Sequence, residues 1–282
     1  MTVSHPPPPG PAATQVVAAT GSSMRICVFG DVQGWTQRLI DALIALGADV
    51  DHGVLPDDLL VVQLGDLVHK GPDSKGALEL VNRFLVGSPD RWLQLVGNHE
   101  AVYLGGAPFW RDLAAPALAR VLTRWSDAEQ LQVAVALQTA EIGDVLVTHA
   151  GLTRWKWETL GRPNAIEAAS LLNDEWRRDP QRALADGTML WGSPSPHVGV
   201  VWAAEPLPFS QVHGHTSCFR WGPDRWRRDV PDRMRAVATI DRQRRHERFD
   251  WPGGAIIGVD PGFTAKNAAV PLGPLVLTAA RP

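Results

Sequence analysis

From Arg25 onward, short apolar runs alternate with segments whose apolar residues recur every three or four positions. Arg25-Ile26-Cys27-Val28-Phe29 reads as a buried strand. Beyond a glycine-bounded loop, Leu39, Leu43, Ile44 and Leu46 keep helical spacing until Gly47 stops them. Leu59 to Leu64 reads as a second strand, and Trp92 to Val96 as a third. Between them Asp73 or Ser74 can cap a helix with Leu78, Val81 and Leu85 on its inward face. The start therefore predicts βαβαβ. Ser126 with Glu129 forms a capping-box pattern and predicts a further helix bearing Leu131, Val135 and Leu137. Gly143-Asp144 reads as a hairpin turn at which strands resume, now antiparallel, with more strands at Phe209 to Val212, Ala255 to Val259 and Leu275 to Thr278. Arg225 to Phe249, dense in arginine without regular apolar spacing, reads as a loop or exposed excursion. The alternation is that of an α/β or layered α+β domain.

Composition narrows this further. With 282 residues, 45% of them hydrophobic, the chain can bury a sizeable core, and one large domain over residues 24–282 is the default. Residues 1 to about 23, rich in Pro, Ala, Thr, Gly and Ser, cannot offset their ordering entropy and are expected to be a disordered tail. The formal charge of −3, from 27 basic and 30 acidic residues, creates no field that would draw the chain to nucleic acid or membrane. The chain shows neither the pattern of a secretory signal nor an apolar run long enough to span a bilayer. Two cysteines, Cys27 and Cys218, are too few for a disulfide framework, so a reducing, cytoplasmic setting is expected.

The chemistry sits where the apolar runs end. Five polar signatures follow strands: Phe-Gly-Asp-Val-Gln-Gly (29–34), Gly-Asp-Leu-Val-His-Lys-Gly-Pro-Asp-Ser (65–74), Gly-Asn-His-Glu (97–100), Thr-His-Ala-Gly (148–151) and His-Gly-His-Thr (213–216). Strand ends of an open sheet line one crevice, where residues distant in sequence converge. Carboxylate, amide and imidazole donors suit borderline ions such as Mn, Fe or Zn. With one carboxylate shared, for which Asp66 is the choice, two ions could sit roughly 3.5–4 Å apart around an activated water.

The order and spacing of these signatures resemble the calcineurin-like metallophosphoesterase superfamily, in particular its serine/threonine-phosphatase and diadenosine-tetraphosphatase branches. The resemblance covers residues 25 to about 262. It implies a β-sandwich flanked by helices and a phosphate-ester hydrolase in which a hydroxide bridging two divalent metals, manganese first among them, attacks phosphorus. Matched motif by motif, Asp31 and Gln33 would bind the first metal, Asp66 would bridge, and Asn98, His149 and His215 would bind the second. His99 would assist the leaving group and Lys70 would contact substrate phosphate. The expected partner is a phosphorylated protein or small molecule.

Departures from the family pattern matter. Gln33 stands where histidine is usual, although diadenosine-tetraphosphatase-like members often carry glutamine there. His69-Lys70-Gly71 replaces Asp-Arg-Gly, so the positive charge survives without the planar fork, and the acidic partner of the catalytic histidine is lost. No arginine lies between Leu190 and Val212, where protein phosphatases place a second one. Besides the phosphatase, a symmetrical dinucleoside polyphosphate hydrolase and a binding module without catalysis stay open. Any one of these motifs alone is more often a turn, a cap or a satisfied histidine than a ligand; their ordered conjunction reverses those odds. His213 is read as structural or supporting, and His69 is evenly divided between a supporting role and a plain loop residue. For Trp155 and Trp157 packing outweighs a substrate wall, and the arginines of 225–248, mixed with acids, are read as a solvated face.

Overall fold

The alternation along the first strand decides the layering. In β1 (Arg25–Phe29), Ile26 and Val28 face one way and Cys27 and Phe29 the other, and all four are fully buried. Such a strand must be covered on both faces. The computed structural model describes residues 24–107, 115–185, 188–192, 198–199, 202, 206–264 and 270–280; the tail expected at 1–23 lies outside them. β1 pairs in parallel with β2 (Leu59–Gln63), β2 with β3 (Trp92–Leu95) and β3 with β4 (Leu131–Gln132). The last strand, β13 (Leu275–Thr278), pairs antiparallel with the free edge of β1.

A second sheet holds β5 (Ala134–Thr139), β6 (Gly143–Thr148), β7 (Ser210–His213), β10 (Ala238–Asp241), β11 (His246–Trp251) and β12 (Gly254–Gly258), in the order β10-β11-β12-β7-β6-β5. A small hairpin, β8 (Phe219–Arg220) with β9 (Arg225–Trp226), stands apart. The two large sheets stack on Ile26, Val28, Leu60 and Val62 from one side and Val135, Leu137, Val145 and Ile257 from the other. Helices cover the outer faces. α1 (Thr36–Ala45), α2 (Ser74–Gly87) and, beyond the single turn α3 (Asn98–Ala101), α4 (Pro116–Asp127) pack Leu39, Leu43, Leu78, Val81 and Trp125 into the core shared with Cys27, Phe29 and Val61. After the short α5 (Arg154–Thr159), α6 (Ala165–Arg178) lies on β5 and β6. The result is the helix-flanked β-sandwich that the family resemblance implied. No helix among the described residues is long and apolar enough to cross a membrane.

The predicted βαβαβ start forms as read, with its three strands adjacent and parallel. Three other expectations change. Ser126 lies in the last turn of α4 and caps nothing; Glu129 takes a left-handed φ of 54°, and the chain then runs extended as β4 and β5. Leu131, Val133, Val135 and Leu137 also fit a period of two, and pairing with β3 and β6 selects that period. The hairpin turn occupies residues 140–142, and Gly143 with Asp144 already opens β6. Strands after it are mixed: β5 and β6 are antiparallel, but β6, β7 and β12 run parallel. Arg225 to Phe249 is largely structured, since β9, β10 and β11 fall in it, their arginines leaning outward while Phe249 and Glu247 are buried.

One buried amide fastens α6 to the second sheet. Asn173 accepts the backbone N–H groups of Val133 (2.9 Å) and Ala134 (3.2 Å) and donates to the Ala134 carbonyl (2.8 Å). Replacing it by leucine keeps the volume and strands these groups. Asn173→Leu is therefore expected to lower unfolding free energy by about 2–4 kcal/mol in urea titration, whereas a loss under about 0.5 kcal/mol would show that the amide fastens nothing.

Candidate metal centre

Six strand ends open on one crevice: β1 leads to Asp31 and Gln33, β2 to Asp66, β3 to Asn98 and His99, β6 to His149, β7 to His215 and β12 to Asp260. The connecting backbone is bent tightly. Gln33, Asp66, His69, Lys70 and His215 are five of the nine non-glycine residues with positive φ among the described residues, a concentration typical of functional loops. What holds them is buried hydrogen bonding. Glu100, 1% exposed, accepts the backbone N–H groups of Asp66 (2.6 Å), Gly97 (3.0 Å), Leu67 (2.8 Å) and Val68 (3.2 Å), so one carboxylate ties the β2 loop to α3. The Asp66 carbonyl accepts from Val32 (3.0 Å) and Gln33 (2.6 Å), which ties the β1 loop to the β2 loop. The approach is so close that a Cβ on Gly97 would meet the Asp66 nitrogen at 2.3 Å, and one on Gly214 would meet Asp31 Oδ1 at 2.5 Å.

The sequence-predicted ligands come together. Asp66, His149 and His215 each offer a donor atom, and these atoms lie within 4.8 Å of one another. Asn98 Oδ1 lies 3.0 Å from His149 Nε2 and 2.9 Å from His215 Nδ1, and Asp66 Oδ1 lies 3.6 Å from His149 Nε2. His149 Nδ1 is 2.8 Å from the Leu64 carbonyl, which cannot donate, so the ring proton belongs there. Nε2 is then bare in the neutral ring and faces oxygen acceptors, the tautomer and setting of a metal-bound imidazole. On the other flank Asp31 Oδ1 accepts from the His215 backbone (2.9 Å), and Asp31 Oδ2 from Gln33 Nε2 (3.1 Å). Gln33 Oε1 is buried with no hydrogen-bond partner, an acceptor that a cation would satisfy.

Charge points the same way. Burial first, then the charges of Asp260 and Asp66, raise the Asp31 carboxyl well above its usual range. Asp66 is pushed up to about 8 by burial and then by Glu100, and burial raises Asp260. His149 is lowered by burial and then by His215, and His215 is brought to about 4 by burial and then by Lys70. Carboxylates that repel one another beside neutral imidazoles form a donor set that a divalent cation stabilises in its ligating state. The residues present therefore fit a metal centre.

Around this centre His99 is 3% exposed, and its Nδ1 lies 2.7 Å from His69 Nδ1; His69 Nε2 in turn lies 2.7 Å from the Tyr103 hydroxyl. His69 thus supports His99 and is no plain loop residue. Lys70 is exposed on the same loop, and its charge is felt by Asp31, Asp66, His99 and His215. His213 is wholly buried in β7, with Nδ1 3.0 Å from the Gly214 carbonyl. Trp157 packs on Trp202 and donates to the Pro163 carbonyl, and Trp155 is 60% exposed; neither stands against the ligands. Trp191 does, edge-on to His215 at 5.8 Å. Sequence reasoning missed Trp191, Tyr103 and Asp260. Only Asp260 carried a signal, because Gly258-Val259-Asp260-Pro261-Gly262 repeats the strand, acid and glycine pattern of the other signatures.

A family model described as calcineurin-like phosphoesterase matches residues 24–230. Among solved structures, a cold-active protein-tyrosine phosphatase from a psychrophilic Shewanella species superposes with a TM-score of 0.54 at 17% identity, over 90% of this chain and 75% of that one. A point mutant of a cold-active protein tyrosine phosphatase gives 0.50 at 16% identity, over 86% of this chain and 72% of that one. No curated protein sequence matches the chain. At these identities the structural likeness speaks to fold, while the family match spans β1 to β9 and the loops of Asp31, Asp66, Asn98, His149 and His215, and stops before that of Asp260. The chain belongs to the calcineurin-like phosphoesterase family and is a metal-dependent phosphoesterase.

Proposed function

We propose that the centre takes two divalent ions, manganese by choice, and hydrolyses phosphate esters in the manner of the serine/threonine phosphatases. The observation that carries this reading is the place of Asp66. Its carboxylate belongs both to the cluster with His149 and His215 and to the charge cluster with Asp31 and Asp260, so one side chain faces two groups of donors. Asp31 and Gln33 would hold one ion, Asn98, His149 and His215 the other, and Asp66 both. When bound, the ions would supply Lewis-acid charge for the phosphoryl oxygens and lower the pKa of a water. Lys70 adds a positive charge over the same oxygens. His99, whose Nε2 lies 3.8 Å from Asp66 Oδ2 and which burial keeps neutral, is placed to assist the departing oxygen by donating a hydrogen bond to it. If Tyr103 donates to His69 Nε2, then His69 donates from Nδ1 to His99 Nδ1. The proton of His99 is thereby kept on Nε2, toward the centre. The buried free thiols of Cys27 and Cys218 suit a reducing, cytoplasmic setting.

Three measurements follow. Asp66→Asn and Asn98→Ala should each lose bound metal, read by elemental analysis, and lower turnover of p-nitrophenyl phosphate with Mn²⁺ by more than about a hundredfold; full activity in both variants rejects the two-ion reading. A neutral amide is a weaker ligand than imidazole, so Gln33→His should tighten the weaker of two Mn²⁺ equivalents in calorimetric titration by about tenfold. Two equivalents of unchanged affinity would remove Gln33 from the ligands. His99→Ala should cost about a hundredfold or more in kcat with alkyl phosphates and much less with p-nitrophenyl phosphate, whose leaving group needs no proton. His69→Ala should show the same selectivity at smaller size, and equal losses on both substrates would end the leaving-group role.

A further inference from the structure

A buried cation sits beside the Gln33 loop without belonging to the donor set. Arg38, in the first turn of α1, is only 7% exposed, and burial, with the charge of Arg245 added to it, lowers its pKa. The position is unfavourable twice over. A guanidinium taken out of water loses its hydration, and a cation at a helix start faces the positive end of the macrodipole. An aliphatic side chain would fill the same space without either cost, so packing alone does not account for an arginine here. What replaces the lost hydration is a pair of aromatic faces: the guanidinium carbon lies 4.5 Å from the ring centroid of Trp35 and 4.0 Å from that of Phe263.

Each ring belongs to a loop of the centre, one from either sheet. Trp35 stands two residues after Gln33. Its N–H donates to the Val32 carbonyl (3.0 Å) and its own carbonyl accepts from Arg38 (3.0 Å), which locks it to the turn that carries Asp31 and Gln33. Phe263, 3% exposed, stands three residues after Asp260. Between them Asp260 Oδ1 accepts the Gly262 N–H (2.8 Å), and the Pro261 carbonyl accepts Nη1 of the buried Arg245 (2.8 Å). The segment 260–263 is thus held by two arginines, Arg245 from the turn between β10 and β11 and Arg38 from the helix that follows β1. The strand ends behind these loops already touch, since a Cβ on Gly30 would meet the Val259 carbonyl oxygen at 2.0 Å.

We infer that Arg38 is a positioning residue of the metal centre: clamped between Trp35 and Phe263, it fixes the Asp31–Gln33 loop against the Asp260 loop and thereby sets the affinity of the ion placed on Asp31 and Gln33. This rests on the two-ion reading proposed above. The half of the centre that it serves is the half that needs it. Gln33 offers a neutral oxygen on a flexible side chain, a weaker and less rigid donor than an imidazole, so its contribution depends on how well its backbone is held. Asn98, His149 and His215 follow β3, β6 and β7, and neither ring of the clamp is on their loops.

The test titrates Mn²⁺ calorimetrically into the metal-stripped full chain, as wild type, Arg38→Met, Phe263→Leu and, as a control destabilised elsewhere, Asn173→Leu. Methionine keeps the apolar bulk of Arg38 and removes its cation. In Arg38→Met the weaker Mn²⁺ equivalent is expected to lose about tenfold in affinity, with the stronger one unchanged within about twofold. Phe263→Leu should lose less, again on the weaker equivalent alone, and Asn173→Leu should move neither. A merely structural arginine would lower stability without separating the two affinities. An unchanged weaker equivalent in Arg38→Met, an equal fall of both, or a comparable fall in Asn173→Leu overturns the clamp; if Arg38→Met does not fold, Phe263→Leu decides by the same criteria. If wild type takes fewer than two ions, the two-ion reading fails by itself. The clamp is then judged by hydrogen exchange of the metal-free proteins: faster exchange in Arg38→Met confined to residues 31–36 and 260–264 sustains it, and unchanged or chain-wide faster exchange overturns it.

Discussion

Asp31, Asp66 and Asp260 are buried within reach of one another's charge, and with them Glu100, also buried. Bringing carboxylates out of water and toward each other is among the costliest acts a fold performs, and it persists only where hydrogen bonds or cations compensate. Here the two compensations are divided. Glu100 is satisfied by four backbone amides and belongs to the scaffold. The three aspartates accept fewer protein donors and face bare imidazole nitrogen and an unpartnered amide oxygen. They are the carboxylates whose charge the protein's own donors compensate least.

The sandwich exists around that constraint. Parallel strands β1, β2 and β3 in one sheet and β6, β7 and β12 in the other all end on the same side, so six loops deliver donors without any of them being long. The cost is backbone strain, concentrated at Gln33, Asp66, His69, Lys70 and His215. Tight coupling between loops, through the Asp66 carbonyl and the Glu100 carboxylate, over-determines those conformations. Disturbing one loop therefore disturbs the others.

Two features set this chain apart within its own architecture. His69 and Tyr103 form a hydrogen-bonded line to His99, which orients the ring by neutral groups. Unlike a carboxylate, such a partner adds no negative charge to a site already crowded with it. The second feature is the hairpin β8–β9, rooted by Glu247, which turns an arginine-rich stretch into one wall of a cleft beside His215. Both lie beside the donor-bearing crevice and outside the core of the sandwich.

The strand alternation was enough to reach the βαβαβ start and a layered α/β or α+β domain, because each depends on local period, whereas the sandwich and the grouping of the donors were implied by the resemblance that the ordered polar signatures carry. Local pattern failed at Ser126 to Leu137, where periods of two and of three to four both fit and pairing with β3 and β6 chose between them. It failed again at 225–249, where burial of Phe249 and Glu247 depends on a neighbouring sheet that no window of sequence contains. Asp260, Tyr103 and Trp191 join the centre only through long-range packing, as does the pairing of Arg242 with Asp224, whereas the other arginine pairs of this region are with acids two or three residues away. Sequence thus determined the kinds of polar side chain and the strands that carry them; tertiary structure decided which polar groups share a buried space, since desolvation and charge act through distance in space and not along the chain.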